Sequence, residues 1–231
     1  TGDVDDLLRY VRILLDNVSL SRSIGMQGSL RVRQLFYASR TARQVKDVYD
    51  RVLGRSASQL KRICIVHDYL IQMGGAERVV AALHQLYPDA PIYTTVVDRE
   101  KLIDELKNAD IRTSWMQRIP GIKKHFKLFF LLYPLAVRSS SLRGYDLIIS
   151  SSSAYAKVIV KPKGARHITY CHTPMRFAWD YETYIRDVRL PRIIKRMLKL
   201  WMRPLRWWDI RTSRDVDQFI ANSSIVRQRI E

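Results

Sequence analysis

The sequence predicts an α/β protein in which an α-helical segment precedes a doubly wound parallel sheet. After Lys61, short apolar segments alternate with helical ones, an order typical of parallel sheets that carry helices on both faces. Segments such as RICIVHD are continuous apolar runs, as expected of strands that are buried on both sides. Residues 1–56, in contrast, contain no convincing strand. We therefore expect two domains, residues 1–56 and residues 57–231.

Helical periodicity dominates the first domain. In DVDDLLRYVRILLD, apolar residues recur at helical spacing after an acidic first turn. SLRVRQLF and RTARQVKDVYDRVLG predict further helices, and Gly54 is a suitable C-terminal stop. The polar residues 55–59 then predict a short link to the second domain.

Seven segments of the second domain predict strands. In chain order they are RICIVHD, APIYTTVV, DIRTSW, GYDLIISSSS, AKVIVKP, RHITYCH and VDQFIANSS. A helix with Val79, Val80 and Leu83 on one side follows the first of them, and DREKLIDELKN predicts another. Ser223 or Ser224 is expected to cap a terminal helix.

The composition indicates a globular protein with an anionic partner. Of the 231 residues, 47% are hydrophobic, which is enough for a core, and the formal net charge is +18. This charge favours nucleic acid, anionic lipid or a phosphorylated substrate, although a solvated basic surface would also explain it. The longest uncharged apolar run, LFFLLYPLAV, is about half as long as a membrane span. Cys64 and Cys171 stand outside any CxxC pair and are expected to be buried core thiols.

A glycine pair follows the first predicted strand, in HDYLIQMGGAERVV. Gly74 and Gly75 lack a Cβ that would repel a ligand and tolerate positive φ, and the helix that follows favours a phosphate at its N-terminus. Ligands of open α/β sheets bind beyond the carboxyl ends of the strands, so this loop predicts a diphosphate or sugar site. The alternative is an ordinary tight turn. The pattern is not GxGxxG, which argues against a nicotinamide or flavin oxidoreductase.

A second group of polar and aromatic residues lies in YCHTPMRFAWD, at the end of the sixth predicted strand and on the same edge as the glycine loop. His172 can donate a hydrogen bond or transfer a proton near neutral pH. Arg176 can bind an anion. A single histidine is usually structural, but two unusual segments at one sheet edge favour a functional site.

Three segments, HDYLIQMGGAERVV, YCHTPMRFAWD and RTSRDVDQFIANSSIVRQRI, resemble in order and spacing the N-terminal domain of retaining glycosyltransferases of family 4. The resemblance covers about residues 60–231 and implies a Rossmann-like domain, the N-terminal half of a GT-B fold. It implies transfer of a sugar from a nucleotide-sugar to a lipid-linked or polysaccharide acceptor in cell-surface glycan synthesis. A mannosyl donor such as GDP-mannose is the commonest association of similar HTPMR segments. No metal motif is visible, so we expect no metal and no cofactor, the nucleotide-sugar being a substrate.

The resemblance also implies roles for single residues. Donor-diphosphate contacts would fall on Gly74 and Gly75. His172 matches the family histidine near the reacting sugar, where it would be the catalytic residue that helps to hold the donor. Glu77 and Arg176 match positions that face the acceptor.

Residues 1–56 resemble the closing helices of the same family's C-terminal domain. A tandem protein, in which the tail of one transferase precedes the head of a second, is the simplest explanation. An assembly error or a domain-permuted enzyme would produce the same order. No Glu-x7-Glu motif of a donor-binding domain can be assigned. We therefore expect a fragment that binds nucleotide-sugar weakly and transfers no sugar, because transition-state charge must be met by groups from both halves.

Two basic and aromatic stretches predict contact with an anionic bilayer and a cytoplasmic, peripheral location on the inner face of the plasma membrane. The first is GIKKHFKLFFLLYPLAVRS, and the second, between Arg186 and Arg214, holds ten Lys or Arg and three tryptophans. The alternative is that these aromatic residues pack on the sheet. The residues predicted to face the membrane are Lys123, Lys124, Lys127, Phe129 and Phe130.

Two other classes of function compete with a transferase. The net charge alone would suit a nucleic-acid-binding protein, but no RNP aromatic pair or basic recognition helix is visible, and such a protein would leave the glycine loop unexplained. A non-catalytic scaffold derived from a transferase is the other alternative, against which the presence of Gly74, Gly75 and His172 counts.

Overall fold

A computed structural model of the chain describes residues 13–36, 62–182 and 192–231, together with positions 9 and 47. The chain divides into two compact units, Thr1–Arg43 and Gln44–Glu231. In the first unit, helix α1 spans Val18–Phe36, so the predicted helix SLRVRQLF is confirmed as part of a longer one. Most of the predicted helix at 40–54 and all of the polar link at 55–59 lie outside the described residues.

A six-stranded sheet forms the centre of the second unit, and its strands are parallel in every pair. The strands are β1 (Ile63–His67), β2 (Ile92–Thr94), β3 (Ile111–Thr113), β4 (Leu147–Ser152), β5 (Arg166–Cys171) and β6 (Gln218–Ala221). Their order across the sheet is β3-β2-β1-β4-β5-β6. This confirms the predicted doubly wound, Rossmann-like sheet.

Six α-helices of this unit lie within the described residues. They are α2 (Gly75–Leu86), α3 (Ile122–His125), α4 (Tyr133–Arg138), α5 (Arg176–Trp179), α6 (Arg192–Ser213) and α7 (Ser224–Ile230). Ser223 caps α7, because its side chain accepts a hydrogen bond from the backbone N of Val226 at 3.3 Å, as predicted. Within the described segments, no helix is long and apolar enough to span a bilayer.

Two sequence-based predictions are wrong. AKVIVKP is not a strand, and its first residues form a 3-10 helix, Ala156–Val158. DREKLIDELKN forms two short 3-10 turns, Arg99–Lys101 and Asp104–Leu106, instead of one helix. Leu102 interrupts it with an extended backbone (ψ 138°) and a buried side chain.

Apolar clusters cover both faces of the sheet, which explains why its inner strands are continuous apolar runs. In β1, Cys64 packs in one cluster and Ile65 in the other; in β4, Ile148 and Ile149 divide in the same way. The two cysteines are free and buried, as predicted. Burial raises the pKa of Cys171 to about 11, so it remains a thiol at neutral pH.

Candidate active site

The strand order reverses between β1 and β4, and the carboxyl ends of these strands therefore border a crevice. β1 ends at His67, β4 at Ser152 and β5 at Cys171. Since the strands are parallel, the loops that follow them lie at the same edge of the sheet. The glycine loop follows β1 and His172 follows β5, so the topology places both at this edge.

Asp68 fills an anion-binding concavity at this switch point. Its carboxylate accepts hydrogen bonds from four successive backbone N–H groups, those of Ser153 (2.6 Å), Ala154 (3.1 Å), Tyr155 (2.7 Å) and Ala156 (2.6 Å). Successive N–H groups of this kind form a site that suits a phosphate. Because the 2% exposed Asp68 already occupies it, a ligand phosphate could bind there only by displacing this side chain.

His172 is half-buried beside Asp68 and is held by β4. Its Nε2 lies 2.8 Å from the hydroxyl of Ser151, and its backbone N donates to the carbonyl of Ser152 at 2.9 Å. The ring of Tyr170 meets the imidazole edge-on, with 5.1 Å between the centroids. These three contacts restrict both the position and the rotation of the imidazole.

Burial and, to a smaller extent, the nearby His67 lower the pKa of His172 to about 4, although Asp68 acts in the opposite direction. The imidazole is therefore neutral at pH 7. A neutral imidazole has one donor and one acceptor nitrogen. With Nε2 paired to Ser151, Nδ1 is the nitrogen left to meet a ligand.

His67 makes a second hydrogen bond to Ser151. Its Nδ1 lies 2.8 Å from the carbonyl oxygen of Ser151, and because a carbonyl only accepts, Nδ1 carries the proton. Ser151 thus contacts one imidazole through its backbone and another through its side chain. Neither Ser151 nor His67 was predicted as a site residue, although each stands at the carboxyl end of a strand predicted to reach the crevice.

The glycine loop has a tighter structure than the sequence predicted. Gly74 is the N-cap of α2 with φ −113°, so the loop does not use the tolerance of glycine for positive φ at this position. Its N–H donates to the carboxylate of Glu77 at 2.8 Å, and a Cβ built at Gly74 would lie 3.1 Å from that carboxylate. A side chain at position 74 would therefore require the Glu77 carboxylate to shift by a few tenths of an ångström. Gly75 is exposed, and a Cβ there would meet nothing within 4 Å.

Glu77 and Arg176, the predicted acceptor-side residues, differ in exposure. Glu77 is 2% exposed, and its carboxylate stabilises the positive end of α2. In this conformation it presents no surface to a substrate, and its role at the acceptor stays a prediction. Arg176 is exposed at the start of α5, four residues after His172, where it can reach a ligand.

A buried ion pair anchors the segment that follows His172. Lys157, after β4, donates to the carboxylate of Asp209 on α6, and both side chains are buried. The other carboxylate oxygen of Asp209 accepts from the indole N–H of Trp179 at 2.8 Å, which ties α5 to α6. Lys157 also donates to the hydroxyl of Ser213 at 3.0 Å. Breaking such a pair leaves an uncompensated buried charge, so it holds this edge in place.

The residues predicted to face a membrane are only partly exposed. Lys123 and Lys124 are both exposed, and Lys123 donates to Asp98 at 3.1 Å. Phe129 is half-buried against the core, and the half-buried Phe130 packs edge-on against Phe177. The side chain of Lys127 lies outside what the structure describes. Among the described residues, no group of three His, Cys, Asp or Glu side chains could hold a metal ion.

A doubly wound parallel sheet, with a glycine loop and a neutral histidine at one edge of its switch-point crevice, defines a Rossmann-like ligand-binding domain. Residues 73–231 match the model of the family described as Glycosyltransferase Family 4. The match covers more than half of the chain, and the chain belongs to this family. The family predicted from the three motifs is thereby confirmed, and the sheet is that expected of half of a GT-B fold. No curated protein and no solved structure showed significant similarity to the chain.

Proposed function

We propose that the chain is the acceptor-side half of a retaining glycosyltransferase, which moves a sugar from a nucleotide-sugar to a lipid-linked or polysaccharide acceptor. The observation that carries the proposal is the neutral, half-buried imidazole of His172 at the crevice of a family 4 domain. A sugar presents hydroxyl groups that both donate and accept hydrogen bonds. A neutral imidazole suits such groups, whereas a cationic one would instead select an anion.

Ser151 determines which nitrogen of His172 meets the sugar. Its hydroxyl pairs with Nε2, which leaves Nδ1 for a hydroxyl of the donor sugar. When Ser151 donates to Nε2, Nδ1 carries the proton and donates to the sugar. Ser151 is therefore a positioning residue, and His172 is the residue that touches the substrate.

The donor diphosphate is assigned to the loop of Gly74 and Gly75. N–H groups in the first turn of α2 have no partner within the helix, and the absence of a Cβ at the exposed Gly75 allows close approach. The carboxylate of Glu77 already accepts a hydrogen bond from the N–H of Gly74 and places a negative charge beside the loop. This loop is consequently a weak diphosphate site by itself, in agreement with the predicted weak binding of nucleotide-sugar.

A difference in affinity between nucleotide-sugar and nucleotide tests the sugar contact. We expect His172→Ala to weaken binding of GDP-mannose by about 5- to 10-fold, the loss of roughly one hydrogen bond, and to leave binding of GDP unchanged. Isothermal titration calorimetry on the 231-residue chain measures both ligands, with UDP-glucose and UDP as a second pair. Binding is the readout because the resemblance predicts that turnover also requires a donor-binding domain.

Two serines in β4 provide the matched control. Ser151→Ala removes the partner of His172 and is expected to weaken GDP-mannose binding severalfold. The hydroxyl of the adjacent Ser152 is buried without a hydrogen-bond partner among the described residues. Ser152→Ala should therefore leave the affinity for both GDP-mannose and GDP unchanged. The proposal fails if His172→Ala affects GDP as much as GDP-mannose, or if neither nucleotide-sugar binds more tightly than its nucleotide.

A further inference from the structure

Helix α6 exposes a row of large apolar side chains. Met197, Leu200, Trp201 and Trp207 are 58%, 73%, 57% and 67% exposed. Their spacing of three, four and six to seven residues places them on one side of the helix, the side away from the sheet. We call these four residues the outer face of α6.

The outer face is not needed for the core, because the opposite side of α6 already fills that role. Leu198, Met202 and Leu205 pack against the core cluster, and Asp209 forms the buried ion pair with Lys157. A helix whose inner side is packed in this way has no folding reason to carry large apolar residues on the other side. Contiguous exposed apolar residues of this kind mark an interaction surface.

Charge indicates which partner covers the outer face. Of the α6 side chains that the structure describes, the exposed charged ones are all basic: Arg196, Lys199, Arg203 and Arg211. Helical spacing places Arg196, Lys199 and Arg203 on a strip directly beside the apolar row, in which Lys199 pairs with the exposed carboxylate of Glu182. The one acidic residue of the helix, Asp209, is buried.

We propose that the outer face of α6 and its basic strip bind the surface of an anionic lipid bilayer. An amphipathic helix with tryptophan on its apolar side and Lys or Arg beside it lies in the interfacial plane of such a bilayer. The outer face offers more exposed apolar surface than the predicted segment at 123–130, where Phe129 and Phe130 are half-buried. The inference does not depend on the proposed donor contacts, and it would hold the crevice close to a lipid-linked acceptor.

Cosedimentation with vesicles tests this surface on the 231-residue chain. We expect binding to vesicles that contain 30% phosphatidylglycerol, weaker binding at high salt, and little binding to phosphatidylcholine alone. Arg196→Gln with Arg203→Gln should weaken binding by roughly 30-fold, since each basic residue near such a surface contributes about 5-fold. Trp201→Ser with Trp207→Ser should weaken it by at least about 10-fold.

Matched variants separate this face from general charge and aromatic content. Lys101→Gln with Lys107→Gln removes the same charge from exposed positions elsewhere, and Trp115→Ala removes a tryptophan that is 41% exposed. Both are expected to bind vesicles nearly as well as the parent chain. Equal losses in the matched variants would overturn the proposal. The proposal would also be overturned if the chain did not bind vesicles but self-associated in sedimentation velocity, and if Trp201→Ser with Trp207→Ser abolished that self-association. A second copy of the chain would then cover the outer face.

Discussion

The same pair of side chains, a serine and a histidine, joins β4 to β5 at two places with different consequences. In the sheet interior, the hydroxyl of Ser150 lies 2.9 Å from Nε2 of His167. At the carboxyl edge, the hydroxyl of Ser151 lies 2.8 Å from Nε2 of His172. His167 is 0% exposed, whereas His172 is half-buried. The same type of hydrogen bond therefore holds a buried, structural histidine at one position and an accessible histidine at the other.

Burial keeps both imidazoles neutral at pH 7. It lowers the pKa of His167 to about 3 and that of His172 to about 4. Neutrality therefore does not distinguish a functional histidine from a structural one in this sheet. What distinguishes them is position along a parallel strand, because only the carboxyl end of the strand borders the crevice.

The largest expected effect comes from Asp68, which fixes the loop beside His172. Asp68→Ala leaves four backbone N–H groups without the carboxylate that they share. We expect a loss of about 3–5 kcal/mol in the free energy of unfolding, measured by urea denaturation. Asp104→Ala removes an exposed carboxylate paired with Lys107 and should have a far smaller effect on the free energy of unfolding. Equal effects of the two variants would contradict the role given to Asp68.

Replacing each histidine sharpens the comparison directly. His167→Ala should lower the free energy of unfolding by about 2–4 kcal/mol, because it opens a cavity in the sheet and removes one of the two hydrogen-bond partners of the Ser150 hydroxyl, the other being Thr169. His172→Ala should lower it by about 1 kcal/mol and should instead reduce nucleotide-sugar binding. Thermal and urea unfolding of both variants provide the measurement. A larger loss of stability for His172→Ala would mean that the edge histidine is structural.

Stability should fall as the pH is lowered from 7 to 5. The pKa of each histidine is below the ordinary value of 6.5 in the folded chain, so the unfolded chain binds more protons in this window. The stability that each group contributes is present above pH 6.5 and is lost as the pH falls toward its folded pKa. We expect a loss of roughly 2 kcal/mol for each histidine by pH 5.

The pH dependence can be divided between the two positions. His172→Gln should remove the part of the stability loss that is due to His172 and leave the part that is due to His167. Urea denaturation at pH 7, 6 and 5 gives the comparison. An unchanged loss between pH 7 and 5 in His172→Gln would show that His172 titrates normally in the folded chain.

The smallest expected effect separates two neighbouring serines. Ser151→Ala should lower the free energy of unfolding by about 1 kcal/mol, because it removes one hydrogen bond to His172. Ser152→Ala should be neutral or slightly stabilising, since it removes a buried hydroxyl that has no partner in the described part of the chain. The reverse order in urea denaturation would contradict the assigned contacts.

Hydrophobic patterning was sufficient to predict the sheet, because buried parallel strands leave a local signal. β1, β4 and β5 were predicted from such segments, each of which extends one residue beyond the observed end at His67, Ser152 or Cys171. AKVIVKP has the same signal and is not a strand. The N–H groups of Tyr155 and Ala156, at the start of this segment, bond to Asp68, and Lys157 pairs with Asp209. These contacts are remote in sequence.

The candidate site could be predicted only in part for the same reason. Placing His172 at the carboxyl edge required only the strand that precedes it. Its pairing with Ser151 depends on the register of β4 against β5, which sets Ser151 opposite Tyr170 and which no local pattern reveals. The capping of Gly74 by Glu77 was likewise hidden, since it requires the helix to begin at Gly75.

NMR titration of the His172 imidazole in the 231-residue chain tests the central claim most directly. Nitrogen shifts report both the protonation state and the tautomer of an assigned histidine. We predict a pKa of about 4 for His172, a single neutral tautomer at pH 7, and a change of its Nδ1 shift when GDP-mannose, but not GDP, is added. A pKa near 6.5 with two interconverting tautomers, and no response to the nucleotide-sugar, would contradict a neutral histidine held by Ser151 for the donor sugar.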